Sequence, residues 1–229
     1  MAADNKPLKY LRYAIGEILL VVIGILLALQ INTWNENRKS NMREMKLLTE
    51  LKTNLHINVQ NLEKDIESQT QSAKVIDKLL DHLDHKRPYT DSLAYYFSMA
   101  DYAPDVVLSS SAFETLKSSG LELISTDTLR STIINLFEIY YPTLMQETKR
   151  LEDQLWPTAA VPMYQKHFRR EQKDFYTVND YQALLDDKEF TNMLSFRGNL
   201  RKQSTIRKIK AKDQTLNVLA MIHKELSND

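Results

Sequence analysis

The sequence predicts an all-α protein, in which an N-terminal transmembrane helix precedes an elongated antiparallel helical bundle with long, coiled-coil-like helices. Three observations predict this class: one apolar run near the N-terminus, apolar side chains spaced three and four residues apart over much of the remaining chain, and scarce glycine. Only 4 of the 229 residues are glycine, which leaves few positions for the left-handed turns of β-hairpins. Runs of alternating β-branched residues, which would indicate strands, are absent from the sequence.

Eighteen residues, 14–31, form the apolar run, and its only strongly polar side chains are Glu17 and Gln30. A helix of this length rises roughly 27 Å, close to the hydrocarbon thickness of a bilayer of about 30 Å. The alternatives are a buried helix of a soluble protein and a cleaved signal peptide. The length of the run and the lack of a following small-x-small cleavage site favour an uncleaved membrane anchor.

This anchor divides the sequence into three predicted parts: a short tail over residues 1–13, a transmembrane helix over 14–34 and an extramembrane α-helical domain over 35–229. Basic residues are nearly balanced on the two sides of the helix, so the positive-inside rule does not fix the orientation. A short tail before the helix and a folded mass after it are typical of a signal anchor. We therefore expect an inner (cytoplasmic) membrane protein with a periplasmic C-terminal domain. The predicted interfacial anchors are Tyr10, Tyr13 and Trp34.

One stripe of the membrane helix carries Glu17, Gly24, Ala28 and Asn35, which fall within about 40° of each other. The small residues four apart allow close helix packing in a bilayer, so we expect Glu17, Gly24 and Ala28 to face protein. Glu17 has two interpretations, an interfacial anchor near the end of the apolar run or a proton-carrying group.

Two segments carry a resemblance to a known family. They are YAIGEILLVVIGILLALQINTWNENRK over residues 13–39 and SAFETLKSSGLELISTDTLR over residues 111–130. Both resemble recurring segments of a Bacteroidota membrane-protein family known as domain of unknown function 6090. The resemblance implies a single-pass membrane protein with a helical extramembrane region, and it transfers no catalytic residue.

Beyond the membrane helix, the chain contains no proline or glycine between Trp34 and Pro88, which predicts one long helix. Asn58 and Gln69 fill gaps in its apolar pattern, and an extra four-residue step predicts a stutter after Leu62. Such a seam serves either self-association or packing within one bundle, and both remain open. The apolar positions of this near-heptad are Leu48, Leu51, Leu55, Leu62, Ile66, Ala73, Ile76, Leu80 and Leu83.

Further helices are expected up to Tyr102, over residues 112–118 and 127–141, and onwards to Leu155. Pro157 and Pro162 are expected to bracket a loop, followed by helices over about 163–173 and 187–226, with a short one starting at Asp180.

Composition and motifs exclude several functions. With 30 basic and 30 acidic residues the chain has no one-signed field for nucleic acid, and with no cysteine it has no disulfide, thiol nucleophile or zinc–sulfur site. Phosphate-binding glycine loops, GxSxG and HExxH are absent from the sequence. His82 and His85 are one turn apart but lie at a predicted helix end, where histidine is favoured without a metal. We expect no enzymatic activity, cofactor, metal or nucleic-acid partner.

Two groups of residues remain as candidate contacts. A basic stripe in the last helix is a candidate for anions or lipid headgroups, or lies against acidic residues of the same bundle such as Glu63, Asp65 and Glu67. An apolar group in the second family segment is a candidate partner surface, or else part of the core. The basic stripe comprises Arg197, Arg201, Lys208 and Lys212, and the apolar group comprises Phe113, Leu116, Leu121 and Leu123.

These observations favour a non-enzymatic, membrane-anchored scaffold or adaptor of the cell envelope. Its expected partners are the lipid bilayer and either another envelope protein or a second copy of the chain. The alternative function is a proton-responsive one-helix subunit of an ion-driven membrane assembly, in which Glu17 carries the proton.

Overall fold

A computed structural model of the protein describes residues 6–102, 106–170 and 175–227, and their side chains except those of 6–13 and 147–152. The chain forms two compact units, Met1–Leu47 and Leu48–Asp229. Helices make up most of the described residues, which confirms the predicted all-α class. The α-helices are α1 (Lys6–Asp84), α2 (Ser92–Asp101), α3 (Ser111–Ser119), α4 (Asp127–Asn135), α5 (Tyr141–Leu155), α6 (Val161–His167), α7 (Tyr181–Asp186) and α8 (Lys188–Ser227), with 3₁₀ and π turns between some of them.

In the first unit, the apolar run lies on α1 and is exposed throughout. The large apolar side chains between Ile15 and Ile31 are 46% to 73% exposed. An 18-residue window of this helix is long and apolar enough to cross a membrane, and none of it is buried. The unit therefore presents a helical surface of apolar side chains on every side, which is typical of lipid-facing segments.

In the second unit, α1 buries a regular heptad instead of the stuttered pattern that we expected. Asp65 is buried where the apolar pattern predicted Ile66, which is half-buried. Leu79 is likewise buried where the pattern predicted Leu80. The interior admits a carboxylate at position 65 because α8 supplies a cation to it, as described below. The buried heptad consists of Leu51, Leu55, Asn58, Leu62, Asp65, Gln69, Ser72, Ile76, Leu79 and Leu83.

The helix α8 packs along this heptad in the antiparallel direction, and its backbone at Gly198 lies close to the Ile76 side chain. A Cβ atom on Gly198 would lie 3.0 Å from Cγ2 of Ile76. This distance explains why a glycine is accommodated in the interior of a 40-residue helix, where it otherwise costs about 1 kcal/mol relative to alanine. The predicted long C-terminal helix is confirmed, and Gly198 is one of its close contacts with α1.

The segment around Pro157 and Pro162 differs from the expected loop. A π turn over Trp156–Ala160 follows α5 directly, and α6 follows that turn. Each proline lies in the first positions of its own segment, where the missing N–H group is tolerated because helix starts leave such groups unpaired. The helical path therefore continues through both prolines.

The expected helix over about 163–173 is also wrong in its second half. It ends at His167, and the chain continues into a strand, β1 (Phe168–Arg170), which pairs antiparallel with β2 (Tyr176–Val178). In this pairing Phe168 lies opposite Val178 and Arg170 opposite Tyr176. The short hairpin packs against α2, since the Tyr176 N–H donates to Oγ of Ser98 at 3.0 Å.

Candidate functional site

A row of charged and polar side chains lies inside the second unit, between α8 and the elements packed on it. We call it the charged seam. On α1 and α8 it separates an apolar cluster that includes Ile76, Phe97 and Leu194 from a smaller one that includes Leu62 and Ala211. Its members are Asp65, Gln69, Asp101, Arg197, Arg201 and Lys208, and all except Asp101 are almost completely buried.

Arg197 is the centre of the seam, with a fully buried side chain. Nη1 donates to Oδ1 of Asp101 at 3.2 Å, and Nη2 donates to the Asp101 carbonyl oxygen at 3.0 Å. Because Asp101 is the last residue of α2, the guanidinium binds both a carboxylate and the negative end of a helix dipole. The same guanidinium lies 5.2 Å from the centre of the Trp156 ring. One side chain therefore joins α8, α2 and the π turn.

Two further cations extend the seam along α8. Arg201 donates from Nη1 to Oε1 of Gln69 at 3.3 Å, and Lys208 forms an ion pair with Asp65. Removing a charge from water costs several kcal/mol unless a partner compensates, so these pairs restrict α1 and α8 to the register in which the partners meet.

Three residues of the basic stripe lie inside the second unit, and not at a surface where lipid or another anion could contact them. Arg197, Arg201 and Lys208 are buried among acidic and amide side chains of the same unit, so a headgroup cannot reach them. Lys212 is the partly exposed member of the stripe, and its Nζ lies 3.4 Å from Oε1 of Glu63. The arrangement corresponds to the other interpretation of the sequence, in which the stripe lies against acidic residues of the same bundle.

An aromatic cleft opens beside the seam, with a volume of about 420 Å³. Tyr95, Tyr102, Phe175 and Tyr176 line it, and Asp101 contributes a carboxylate. A second cavity of about 260 Å³ shares Tyr176 with the cleft. The size and apolar lining of the cleft are typical of small-molecule pockets.

Two polar side chains of the cleft, those of Tyr176 and Asp101, are hydrogen-bonded to each other. Tyr176 donates from Oη to Oδ2 of Asp101 at 2.7 Å, while the other oxygen of this carboxylate accepts from Arg197. Burial and the hydrogen bond to Asp101 raise the pKa of Tyr176 to about 12, so its hydroxyl stays protonated and donating at neutral pH. Asp101 and Tyr176 therefore form a fixed pair, in which the carboxylate already accepts two hydrogen bonds.

A second buried pair lies at the start of α8. His167 and Asp187 are joined by a 2.7 Å contact between Nε2 and Oδ2. The other oxygen of Asp187 accepts from the N–H groups of Glu189 and Phe190, at 2.9 and 3.2 Å, so Asp187 caps the helix. Hydrogen bonds from Lys166 and then from His167 lower the pKa of Asp187.

The histidines at the end of α1 also contact backbone. Nε2 of His82 lies 3.0 Å from the Pro88 carbonyl oxygen, and Nδ1 of His85 lies 2.7 Å from the Asp81 carbonyl oxygen. Within the described residues, no three His, Cys, Asp or Glu side chains are grouped in a way that could hold a metal ion.

In the first unit, Glu17, Gly24 and Ala28 are exposed on α1, and a Cβ atom on Gly24 would meet nothing within 4 Å. Their predicted packing against another membrane helix stays a prediction. Trp34 is also exposed, with the Arg38 guanidinium 6.0 Å from the centre of its ring. The side chains of Tyr10 and Tyr13, the other predicted interfacial anchors, lie outside the described part of the structure.

The apolar group of the second family segment lies mostly in the core. Phe113 and Leu116 are buried on α3, and the Phe113 ring stacks on Phe137 with 4.6 Å between ring centres. Leu121 and Leu123 are half-buried in the following 3₁₀ turn. Because a partner cannot reach Phe113 or Leu116 in this structure, the core alternative describes these two residues.

In a comparison with known proteins, the model of a protein family matches residues 17–196. That family is described as a family of unknown function, DUF6090. The chain belongs to the DUF6090 family. The match covers the apolar run and the first segment from Glu17 onwards, and all of the second segment. It ends at Phe196, so it includes the seam residues of α1 and α2 and stops one residue before Arg197. No curated protein and no solved structure matches the chain. Membership of a family of unknown function assigns no activity.

Sequence reasoning missed two residues that organise the site in this DUF6090 protein, Asp101 and Tyr176. Asp101 carried one available signal, an acid at the end of a predicted helix, where a cation is needed to offset the unfavourable dipole. Tyr176 carried no signal, because its role depends on a hairpin that the sequence pattern did not indicate.

Proposed function

We propose that this protein is a non-enzymatic scaffold or adaptor that α1 anchors in the inner membrane. Its second unit binds another envelope protein or a second copy of the chain. The observation that carries the proposal is the fully exposed apolar run of the first unit. Exposed apolar surface of this extent is unstable in water and stable in lipid.

The interior of the second unit supports a structural role for its charged groups. The buried cations and carboxylates of the charged seam are paired across α1, α2 and α8, and His167 and Asp187 contact each other at a helix start. In this arrangement each of these titratable groups fixes the packing of a neighbouring element.

Affinity purification from native membranes in a gentle detergent, followed by mass spectrometry, tests the adaptor role. A reproducible partner, or a dimer of the tagged and untagged chain, is the expected result. Recovery of the monomer alone, from membranes in which the protein resists carbonate washing, contradicts the adaptor role and leaves the anchor intact.

Orientation has its own test, because we propose that the second unit is periplasmic. Reporters fused after residue 229 are expected to be active only if they function outside the cytoplasm. Activity of a reporter that functions only in the cytoplasm contradicts this orientation.

A second candidate function assigns proton transfer to Glu17. Its support is the position of this carboxyl on an exposed helical stripe with Gly24 and Ala28, where a helix of another subunit can approach closely. Glu17→Gln keeps the volume and hydrogen-bonding groups but removes the titratable proton. Loss of function with an unchanged partner set supports proton transfer, whereas an unchanged phenotype contradicts it and leaves Glu17 as an interfacial anchor.

A further inference from the structure

The helix α8 carries a second heptad that does not face the bundle. We call it the outer heptad, and every member is exposed. It lies about 130° around the helix from the middle of the buried face. Its members alternate in steps of four and three residues and are Ser195, Asn199, Lys202, Ile206, Ile209, Asp213, Leu216, Ala220 and His223.

The centre of the outer heptad is apolar. Ile206 is 60% exposed, Ile209 41% and Leu216 43%. β-branched and leucine side chains at heptad spacing are the pattern by which one helix packs against another. Two opposite charges flank the isoleucines, with Lys202 one turn before Ile206 and Asp213 one turn after Ile209.

This order of charges is complementary to itself when the helix is reversed. If two copies of α8 run antiparallel with Ile206 of one opposite Ile209 of the other, Lys202 of each copy lies opposite Asp213 of the other. The same register places Lys210 opposite Gln203 and Lys212 opposite Thr205, so like charges do not face each other across these positions. In the parallel arrangement the two Lys202 side chains would meet, as would the two Asp213 side chains, and both contacts repel.

We infer that α8 binds α8 of a second copy of this chain in an antiparallel coiled coil, with two Ile206–Ile209 layers between two Lys202–Asp213 pairs. In the single chain Lys202 donates to Asp77 at 2.8 Å, with both side chains about half exposed. Exposed pairs of this kind contribute little and exchange readily, so Lys202 is able to change partner. The inference names the partner within the proposed adaptor function and rests on that function for its biological use.

Cross-linking of the full chain in detergent tests the direction of pairing. The chain has no cysteine, so Asn199→Cys in one tagged copy and Leu216→Cys in another introduce the only thiols. The antiparallel register brings positions 199 and 216 together and separates two copies of position 199 by about 25 Å along the helix. A short thiol cross-linker is expected to give the mixed product. Same-position products, or none at a concentration where the chain is dimeric, overturn the inference.

Charge exchange tests the register. Lys202→Glu places two acids at each flanking contact and is expected to weaken self-association, measured by analytical ultracentrifugation, by about tenfold. In the variant that also carries Asp213→Lys, the antiparallel register places Glu at position 202 of each copy opposite Lys at position 213 of the other. Opposite charges are then restored, so the double variant is expected to regain the wild-type affinity. Lys188→Glu, the same charge change at the start of α8, is the control and is expected to leave the affinity unchanged.

Each outcome decides the inference. Three results would overturn it: a wild-type chain that is monomeric at every accessible concentration, a Lys202→Glu variant that associates as tightly as the Lys188→Glu control, or a double variant that stays weak. All three substitutions alter exposed side chains, and unchanged helical circular dichroism verifies folding. Membrane anchoring is measured separately by carbonate washing, so failure of pairing and failure of the proposed anchor are distinguishable.

Discussion

The two compact units distribute their apolar and charged side chains in opposite ways. In the first unit, the large apolar side chains of residues 15–31 are exposed on all sides of a helix. In the second unit, Arg197 and Lys208 are almost fully buried and paired with carboxylates. Each arrangement is unfavourable in the wrong surroundings, because apolar surface needs a nonaqueous solvent and a buried charge needs a partner. Removing the partner of a buried charge should therefore reduce the stability of the second unit. Introducing a charge into the apolar run should weaken the membrane association of the first.

The largest effect is expected from removing the carboxylate partner of Arg197. Asp101→Ala leaves a fully buried guanidinium without its carboxylate, which we expect to reduce the free energy of unfolding by about 3–5 kcal/mol. Chemical denaturation of the full chain in detergent, followed by circular dichroism, measures it. Asp77→Ala removes the acid of an exposed pair with Lys202 and should cost about 1 kcal/mol or less. Similar losses from both variants would contradict the importance of burial.

A double variant sharpens the same test. Asp101→Leu combined with Arg197→Met replaces the pair with apolar side chains of similar volume, which is often neutral or stabilising. We expect the double variant to be more stable than Asp101→Ala.

A charge in the apolar run is expected to have the next largest effect. Val22→Arg places a cation near the centre of the run, at a cost of about 2.5–3.5 kcal/mol for membrane insertion. The measured quantity is the fraction of protein that resists carbonate washing, which should fall. Ile57→Arg is the matched control, because Ile57 lies on the same helix and is 43% exposed against 47% for Val22. If neither substitution releases the protein, the run does not hold it in the membrane.

A buried amide can be compared with a half-buried one at two asparagines of α1, Asn58 and Asn61. Nδ2 of Asn58 donates to the Ser109 carbonyl oxygen at 2.9 Å, and the Ser109 N–H donates back to Oδ1 at 2.7 Å. Asn61 makes one bond, to the Val107 carbonyl oxygen at 2.8 Å. We expect Asn58→Ala to cost about 1–3 kcal/mol in unfolding free energy, because it removes the partner of both backbone groups of the half-buried Ser109. Asn61→Ala is expected to cost less than Asn58→Ala, and the reverse order would contradict this explanation.

The smallest effect is expected at Asp187 and depends on pH. The lowered pKa of Asp187, caused first by the hydrogen bond from Lys166, means that its charged form stabilises the fold above the ordinary aspartate pKa of about 4. This contribution is lost as the pH falls towards the lower pKa of the folded state. Asp187→Asn keeps a capping side chain but removes the charge, and should cost about 1 kcal/mol or less at pH 7. Unfolding measured from pH 7 to pH 2 should bring the two proteins together, and a constant difference would exclude the charge as its source.

Local patterns predicted the helical class and several helix ends. Asp180 begins α7, where its carboxylate accepts from the Ala183 N–H at 3.0 Å. Gly120 ends α3 with a φ of 101°, which favours glycine over residues with a side chain. These features depend on neighbours within a few residues, so the sequence contains the necessary information. The loop predicted from Pro157 and Pro162 was wrong, because a proline pattern does not distinguish the start of a helical segment from a loop.

The charged seam could not be located in this way, because its partners are distant in sequence. Arg197 and Asp101 are 96 residues apart, and Arg201 and Gln69 are 132 apart. A stripe of basic residues has the same pattern whether it faces solvent or acids on another helix. The shift from Ile66 to Asp65 in the buried heptad has the same origin, since only the cation from α8 makes the carboxylate tolerable there.

The capping of α3 has a consequence for the order in which the chain acquires its structure. The side chain of Ser110, at the N-cap position, makes no capping hydrogen bond. Instead Oδ1 of Asn54, on α1, accepts from the Ala112 N–H at 3.0 Å and from the Ser111 hydroxyl at 2.8 Å. A nine-residue helix is too short to persist alone in water, and its cap is supplied by a helix synthesised more than fifty residues earlier. We therefore expect α3 to form only when α1 is in place, and a peptide of residues 109–120 to be largely unstructured until α1 is present.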